Sequence, residues 1–258
     1  MRKALVTGAN GQLGHAISLL SAERTKLACV FLTREDMDLT SDDSIQSAML
    51  THRPDVVINC AAYTAVDKAE EERDLAKRIN AEAVGVIVKV CEEIGAKLIQ
   101  ISTDYVFDGN NDSPYPVDFP TSPINWYGET KLRGETEAAR CSRHLIVRAG
   151  WLYGDYGKNF ATTMRCLFQE KEELRIVNDQ IGRPTTALQV AEVCLDAAEN
   201  DTTGIVHVGG DEIMSWYDFA RKLHAEEGDT VTQRIVPISS SEYQTPAKRP
   251  KYSVLEIT

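Results

Sequence analysis

Positive charge is in short supply along this chain. Twenty-eight lysines and arginines stand against 39 aspartates and glutamates, a net charge of −11. A surface of that sign repels a nucleic-acid backbone and an anionic membrane face, so neither is an expected partner. Long apolar runs are missing as well: no stretch approaches the roughly 20 residues that span a bilayer. The opening MRKALVTG passes from Arg2 and Lys3 straight into a strand pattern, without the apolar core of a secretory signal. Cysteines are present at 29, 60, 91, 141, 166 and 194, but they form no C-x-x-C pair and have no histidine nearby at metal-ligand spacing. Several sit in apolar runs, such as Cys60 in VVINCAAY and Cys91 in VIVKVCEEIG. They are expected to be buried free thiols in a reducing cytoplasm, and no metal site is expected. There is no internal repeat and no low-complexity linker.

What is present is an alternation. ALVTG, ACVFLT, VVINCAA and KLIQIST are short apolar runs, separated by helical spacing over 12–21, 41–50 and 76–93. Continuous apolar strands between amphipathic helices indicate parallel strands covered on both faces. The fold class expected is α/β, a Rossmann-type doubly wound parallel sheet. Asp108 to Pro123, with Gly109 and prolines at 114, 116 and 120, reads as a loop, followed by a helix over 125–140 and the strand HLIVRAG. After Trp151 the alternation loosens. Helical spacing recurs over 159–171 and 186–200, and Ser215 opens another helix with Asp218 three residues on. The expected organisation is a dinucleotide-binding domain over 1–150 and a smaller substrate lobe over 151–258, partly interleaved with the sheet.

The first strand ends in TGANGQLGHA, where Gly8, Gly11 and Gly14 lie between a strand and a helix. Glycines there permit a tight turn and close approach of backbone N–H groups to a pyrophosphate, which the helix N-terminus also attracts. Arg34, in FLTREDMDLT, falls twenty positions after Gly14, where an acid would select NAD and an arginine the 2′-phosphate of NADP. Glu35 and Asp36 follow it, so a slip of one residue reverses the inference. NADPH is the expected cofactor, with NADH the alternative.

Tyr127 and Lys131 form Y-x-x-x-K in INWYGETKLRGE, and on a helix they share one face. A tyrosine titrates near 10, and a neighbouring ammonium favours its phenolate, which makes a workable acid–base pair. The fourth strand ends in QISTDYVFDG, placing Ser102, Thr103 and Asp104 at the edge that faces the ligand crevice of such sheets. A hydroxyl there can bond a substrate carbonyl.

Together the glycine turn, Thr103 and the Tyr127–Lys131 pair resemble the extended short-chain dehydrogenase/reductases. More narrowly, the chain resembles the dTDP-4-dehydrorhamnose reductase family nearly end to end. The matching blocks are VTGANGQLG, NCAAYTAVDKAE, INAEAV, STDYVFDG, NWYGETKLRGE, VRAGWLYG, NDQIGRPT and RPKYSVLE. The resemblance implies reduction of a 4-keto nucleotide sugar. Tyr127 is then the proton donor, Lys131 lowers its pKa, and Thr103 bonds the keto oxygen. It further implies that Gln12, Leu13, Asp38, Leu39, Ala61, Ala62 and Tyr63 line the cofactor. On the sugar side it implies Thr64, Val66, Asp104, Tyr105 and Trp151, with Asn178, Gln180 and Arg183 in the nucleotide-sugar pocket. Two departures stand out: Ala149 and Gly150 replace the small hydroxyl residues more usual in the family, and members continue by a further helix beyond RPKYSVLE. Some members bind magnesium at a dimer contact near the first helix, where this chain has His15. Dimerisation is therefore left open. Two other readings share the fold: a nucleotide-sugar epimerase or dehydratase, and a non-catalytic regulatory subunit of the methionine adenosyltransferase type. The catalytic trio and the NDQIGRPT and STDYVFDG blocks favour the reductase.

Overall fold

The structure, a computed structural model, describes residues 1–228 and 234–258. Its first elements are β1 (Arg2–Thr7), α1 (Gln12–Ser21), β2 (Leu27–Leu32), α2 (Asp42–His52) and β3 (Val56–Asn59). Next come α3 (Arg73–Lys77), α4 (Ala83–Ile94), β4 (Lys97–Thr103), α5 (Trp126–Ala138) and β5 (His144–Ala149). The remainder opens with β6 (Leu152–Tyr153), α6 (Phe160–Glu170), β7 (Glu173–Val177), β8 (Ile181–Gly182) and β9 (Thr185–Thr186). It closes with α7 (Ala187–Glu199), β10 (Gly204–Val208), β11 (Met214–Ser215), α8 (Trp216–Glu226) and β12 (Arg234–Ile238).

Six strands form one sheet in the order β10-β5-β4-β3-β1-β2, every pairing parallel. The order reverses between β1 and β3, and in such sheets a crevice opens at that point beyond the carboxyl ends of the strands. Both faces are buried. On one, β1, β3 and β5 pack through Val6, Ile58 and Val147 against α1 and α7. On the other, Leu5, Val57 and Leu98 pack against α2 and α4. Strands covered on both sides must be apolar throughout, which is why their periodicity was visible as runs rather than alternation.

Elements after residue 150 divide between two places. β10 completes the large sheet and α7 lies against α1. The others surround a separate apolar cluster of Phe168, Leu174, Phe219 and Leu223, carried by α6, β7 and α8. Capping chemistry sets several helix starts. Ser41 accepts from Ser44 N, and Asn159, Thr186 and Ser215 each form reciprocal capping boxes.

Two expectations need correction. The helix read over 76–93 is not uniform: α3 leads into a π turn at Arg78–Glu82 before α4 begins. There the Asn80 side chain accepts from Tyr63 N (2.8 Å) and donates to Tyr63 O and Thr130 Oγ1 (both 3.0 Å). α5 crosses so closely that a Cβ at Gly134 would stand 2.1 Å from Asn80 O. The π turn presents Asn80 to both neighbours at once. The thiols are also not all buried: Cys166, on the outward face of α6, is exposed.

Candidate active site

At the reversal point, the loops after β1, β3, β4 and β5 surround a cavity of about 810 Å³. Its floor is the glycine turn. Gly8 adopts φ +66°, and a Cβ there would lie 2.9 Å from Ala61 N. A Cβ at Gly14 would lie 2.4 Å from Gly8 O. No L side chain fits either position, so the sequence leaves a backbone-lined cradle at the N-terminus of α1. Gly11, the residue before α1, has no side chain to occupy the helix's free N–H groups. That cradle and donor set fit a dinucleotide pyrophosphate.

The loop after β2 forms a further wall of the cavity. Arg34 and Asp38 both line the cavity, with Arg34 Nε 3.9 Å from Asp38 Oδ1. Asp36 is held elsewhere: its Oδ2 accepts from Thr33 N (2.9 Å) and Thr33 Oγ1 (2.7 Å). Of residues 34–36, Arg34 is the one that lines the cavity. Leu39, Met37 and Thr33 complete this wall.

The chemical end lies where β4 meets α5. Asn125 caps α5 through Gly128 N (2.8 Å), and a Cβ at Gly128 would meet Tyr105 O at 2.2 Å. This close crossing puts Tyr127 edge-on to Tyr105, ring centroids 6.0 Å apart. Burial pushes the Tyr127 phenol up to about 12, opposed by hydrogen bonding with Thr103. Lys131 is buried and its Nζ donates to Ile101 O at 2.6 Å. Desolvation pulls it down to about 8, while the Glu135 carboxylate one turn along works the other way. In this arrangement the Lys131 ammonium is anchored on the Ile101 carbonyl, and burial dominates the Tyr127 phenol.

Thr103 and Ser102 were both candidates for the strand-end hydroxyl, and the structure separates them. Ser102 Oγ donates to Glu135 Oε1 (2.5 Å), committed to a buried pair. Thr103 Oγ1 donates to Asp104 Oδ1 (3.0 Å) and accepts from Tyr105 N (3.2 Å), at the cavity wall beside Tyr127. Asp104 is buried, and desolvation raises its carboxyl to about 6. A Cβ at Gly150 would sit 2.6 Å from that carboxyl. The departure at Gly150 therefore has a steric meaning here: it leaves room for Asp104.

The cavity brings together the predicted Gly8, Gly11, Gln12, Leu13, Gly14, Arg34, Asp38, Leu39, Ala61 and Ala62. Thr64, Val66, Thr103, Asp104, Tyr105, Tyr127, Lys131 and Trp151 join them. Four predicted residues do not line it. Tyr63 turns outward and donates its hydroxyl to Glu72 Oε2 (2.8 Å). Asn178 is exposed at the end of the β7–β12 ladder, with its N–H on Ile238 O. Gln180 is half-buried in the same segment. Arg183 donates to Gly210 O (2.6 Å) and stands one layer back: its neighbour Gly182 packs so tightly on the Trp151 indole that a Cβ would approach it to 2.2 Å.

Sequence reasoning missed Trp216, whose indole stacks on Trp151 at 3.4 Å and 2°, and Phe160 beside it. Trp216 directly follows the Ser215 cap, so the capping signal fixed its place without revealing which way it faces. Also missed was a buried polar ladder behind the site. Thr7 Oγ1 donates to Asn59 Oδ1, Asn59 Nδ2 to Gln100 Oε1, and Gln100 Nε2 to Ile101 O, the same carbonyl that Lys131 bonds.

The model of the RmlD substrate binding domain family matches residues 1–258. A dTDP-4-dehydrorhamnose reductase from Burkholderia thailandensis is 40% identical, over 98% of this chain and 90% of that protein. The chain belongs to the dTDP-4-dehydrorhamnose reductase family. The crystal structure of the family member from Bacillus anthracis, in complex with NADP, superposes with a TM-score of 0.94 at 36% identity, covering 100% of this chain and 91% of that one. A Thermus thermophilus UDP-glucose 4-epimerase complexed with NAD shares the fold at TM-score 0.84 and 19% identity, covering 99% and 90%. Among the described residues no helix is long and apolar enough to cross a membrane.

If charged Lys131 is required at the site, its depressed pKa sets an alkaline limit. The group is protonated below about 8 and loses its charge above it. A pH profile of kcat/KM is expected to fall on a limb centred near that value, and a flat profile well into the alkaline range would exclude the requirement.

Proposed function

We propose that this chain reduces the 4-keto group of dTDP-4-dehydro-6-deoxy-L-mannose to give dTDP-L-rhamnose, with NADPH as the preferred cofactor. The observation that carries the reading is the convergence of Thr103, Tyr127 and Lys131 at one end of a cavity whose other end is the glycine cradle. Bound NADPH supplies the hydride.

The chain's own residues do the rest. Thr103, and the wall around it, hold the keto oxygen against Tyr127. Tyr127 delivers the proton that turns the developing alkoxide into a hydroxyl. A phenol held near 12 keeps its proton across the neutral range, which suits a donor. Lys131, fixed by Ile101 O, stabilises the phenolate that remains. Ser102, bonded to Glu135, and Asn80 and the Thr7–Asn59–Gln100 ladder brace the elements that carry these groups. Orientation and electrostatic stabilisation provide most of the acceleration. Trp151, Trp216 and Phe160 offer an apolar face for the sugar nucleotide, from the smaller lobe. The reaction is placed in the cytoplasm.

The test is oxidation of NADPH and of NADH by the purified protein, with the keto sugar generated in situ from dTDP-glucose by the upstream enzymes. Turnover with preference for NADPH is expected. Arg34→Ala should erode that preference by about tenfold or more, since a charge-assisted contact with the 2′-phosphate contributes about 1.5–3 kcal/mol. An unchanged ratio would remove Arg34 from the cofactor site. No turnover with either cofactor would overturn the assignment.

A further inference from the structure

We propose that Lys158 is a ligand of the cofactor diphosphate, held over the glycine turn by a clasp from the C-terminal part of the chain. The inference rests on the dinucleotide reading above and adds a residue that the glycine motif does not contain.

Residues 154–159 cross the start of α1 and are fastened to it at several points. Asn159 Nδ2 donates to Gln12 Oε1 (2.9 Å) and to Gly154 O (2.8 Å). Gln12 Nε2 reaches Lys158 O at 3.5 Å. Gly157, at φ +76°, lies so close that a Cβ would stand 3.1 Å from Gln12 Cγ. Tyr156 stacks on His15, with centroids 4.1 Å apart and planes inclined by 16°. The backbone of Lys158 is thereby fixed beside Gly11 and Gln12, and the residue lines the cavity there.

Charge makes the position meaningful. A diphosphate carries two negative charges, whereas the cradle offers neutral N–H groups and the roughly half charge of a helix end. Among the described residues three cations line the cavity, and two are accounted for. Lys131 is bonded to Ile101 O at the chemical end, and Arg34 stands 3.9 Å from Asp38 at the adenosine end. Lys158 is the third, the cation beside the glycines, and it has no carboxylate partner among the described residues. On a chain of net charge −11, a local cation at the phosphates offsets the repulsion an anionic cofactor otherwise meets.

The experiment is equilibrium titration of the unsubstituted protein, Lys158→Gln and Lys158→Arg with four probes: NADPH, 2′-phospho-ADP-ribose, adenosine 2′-monophosphate and dTDP. Lys158→Gln should weaken NADPH and 2′-phospho-ADP-ribose alike, on the order of tenfold at low ionic strength, with a smaller loss at high salt. Adenosine 2′-monophosphate, which has no diphosphate, should bind unchanged, and Lys158→Arg should recover most of the loss. Unchanged NADPH affinity overturns the proposal. An equal loss for adenosine 2′-monophosphate overturns it by showing a distorted turn. A loss confined to dTDP assigns the charge to the sugar nucleotide instead. Failure of the unsubstituted protein to bind any of the adenine nucleotides would remove the dinucleotide reading itself, an outcome distinct from the other three.

Discussion

Tyr127→Phe is expected to lower kcat by about 10²–10⁴, the contribution of a positioned proton donor, while leaving NADPH binding in place. The substitution removes one oxygen from a ring that packs edge-on against Tyr105 and keeps the crossing at Gly128 intact. Folding should therefore be unaffected, and the loss belongs to chemistry. An interaction made only in the transition state reduces kcat and kcat/KM together. Thr103→Val should show the same pattern, with a smaller loss, because its hydroxyl orients the keto oxygen without transferring a proton. Steady-state kinetics paired with a cofactor titration checks both. A Tyr127→Phe enzyme within about tenfold of the parent in kcat would place the proton donor elsewhere.

Arg148→Leu is expected to be the most destabilising single change of charge in the protein, by about 3–5 kcal/mol. Arg148 and Glu135 are 4% and 6% exposed in their side chains and form a two-point pair, Nε to Oε1 at 2.9 Å and Nη2 to Oε2 at 2.8 Å. The guanidinium also donates to Val117 O (3.1 Å), lies over the Phe107 ring, and faces His207, whose imidazole burial pulls down to about 4. Removing the arginine strands Glu135 and Ser102 in a dry interior one turn from Lys131. A fall in melting temperature of roughly 10 °C should accompany the loss for a chain of this size. The double variant Glu135→Leu with Arg148→Leu should recover a good part of it, since no charge is then left unpaired. Denaturant unfolding of the two variants decides the point. A single variant as stable as the parent would mean that water reaches Glu135.

The fold was legible because a doubly wound sheet writes itself into sequence. Strands buried on both faces appear as ACVFLT or VVINCAA, and the helices between them carry their caps. The glycine turn was legible for a steric reason, since Gly8 and Gly14 sit where any Cβ meets backbone. Tyr127 and Lys131 were legible because helical spacing alone puts them on one face. What stayed hidden depends on contacts between distant segments. Asn80 looks like an ordinary helical residue until α5 crosses it at Gly134. Glu135 and Arg148 carry no signal of their own in the sequence, and only the pairing of β4 with β5 under α5 shows that they neutralise each other. Asn178, Gln180 and Arg183 were placed in the pocket by family likeness; they do not line the cavity, and their segment meets it through Gly182, packed on the cavity-lining Trp151. The same stack brings in Trp216, which no local signal singled out.

The most direct test of the account is the fate of the hydride. NADPH deuterated at the transferable position of its nicotinamide ring, supplied with the keto sugar nucleotide, should give product carrying one deuterium at sugar C4 for each cofactor consumed. Product without deuterium, or a reaction that proceeds with no net consumption of NADPH, would contradict the reductase and point to an epimerase-like cycle on the same fold.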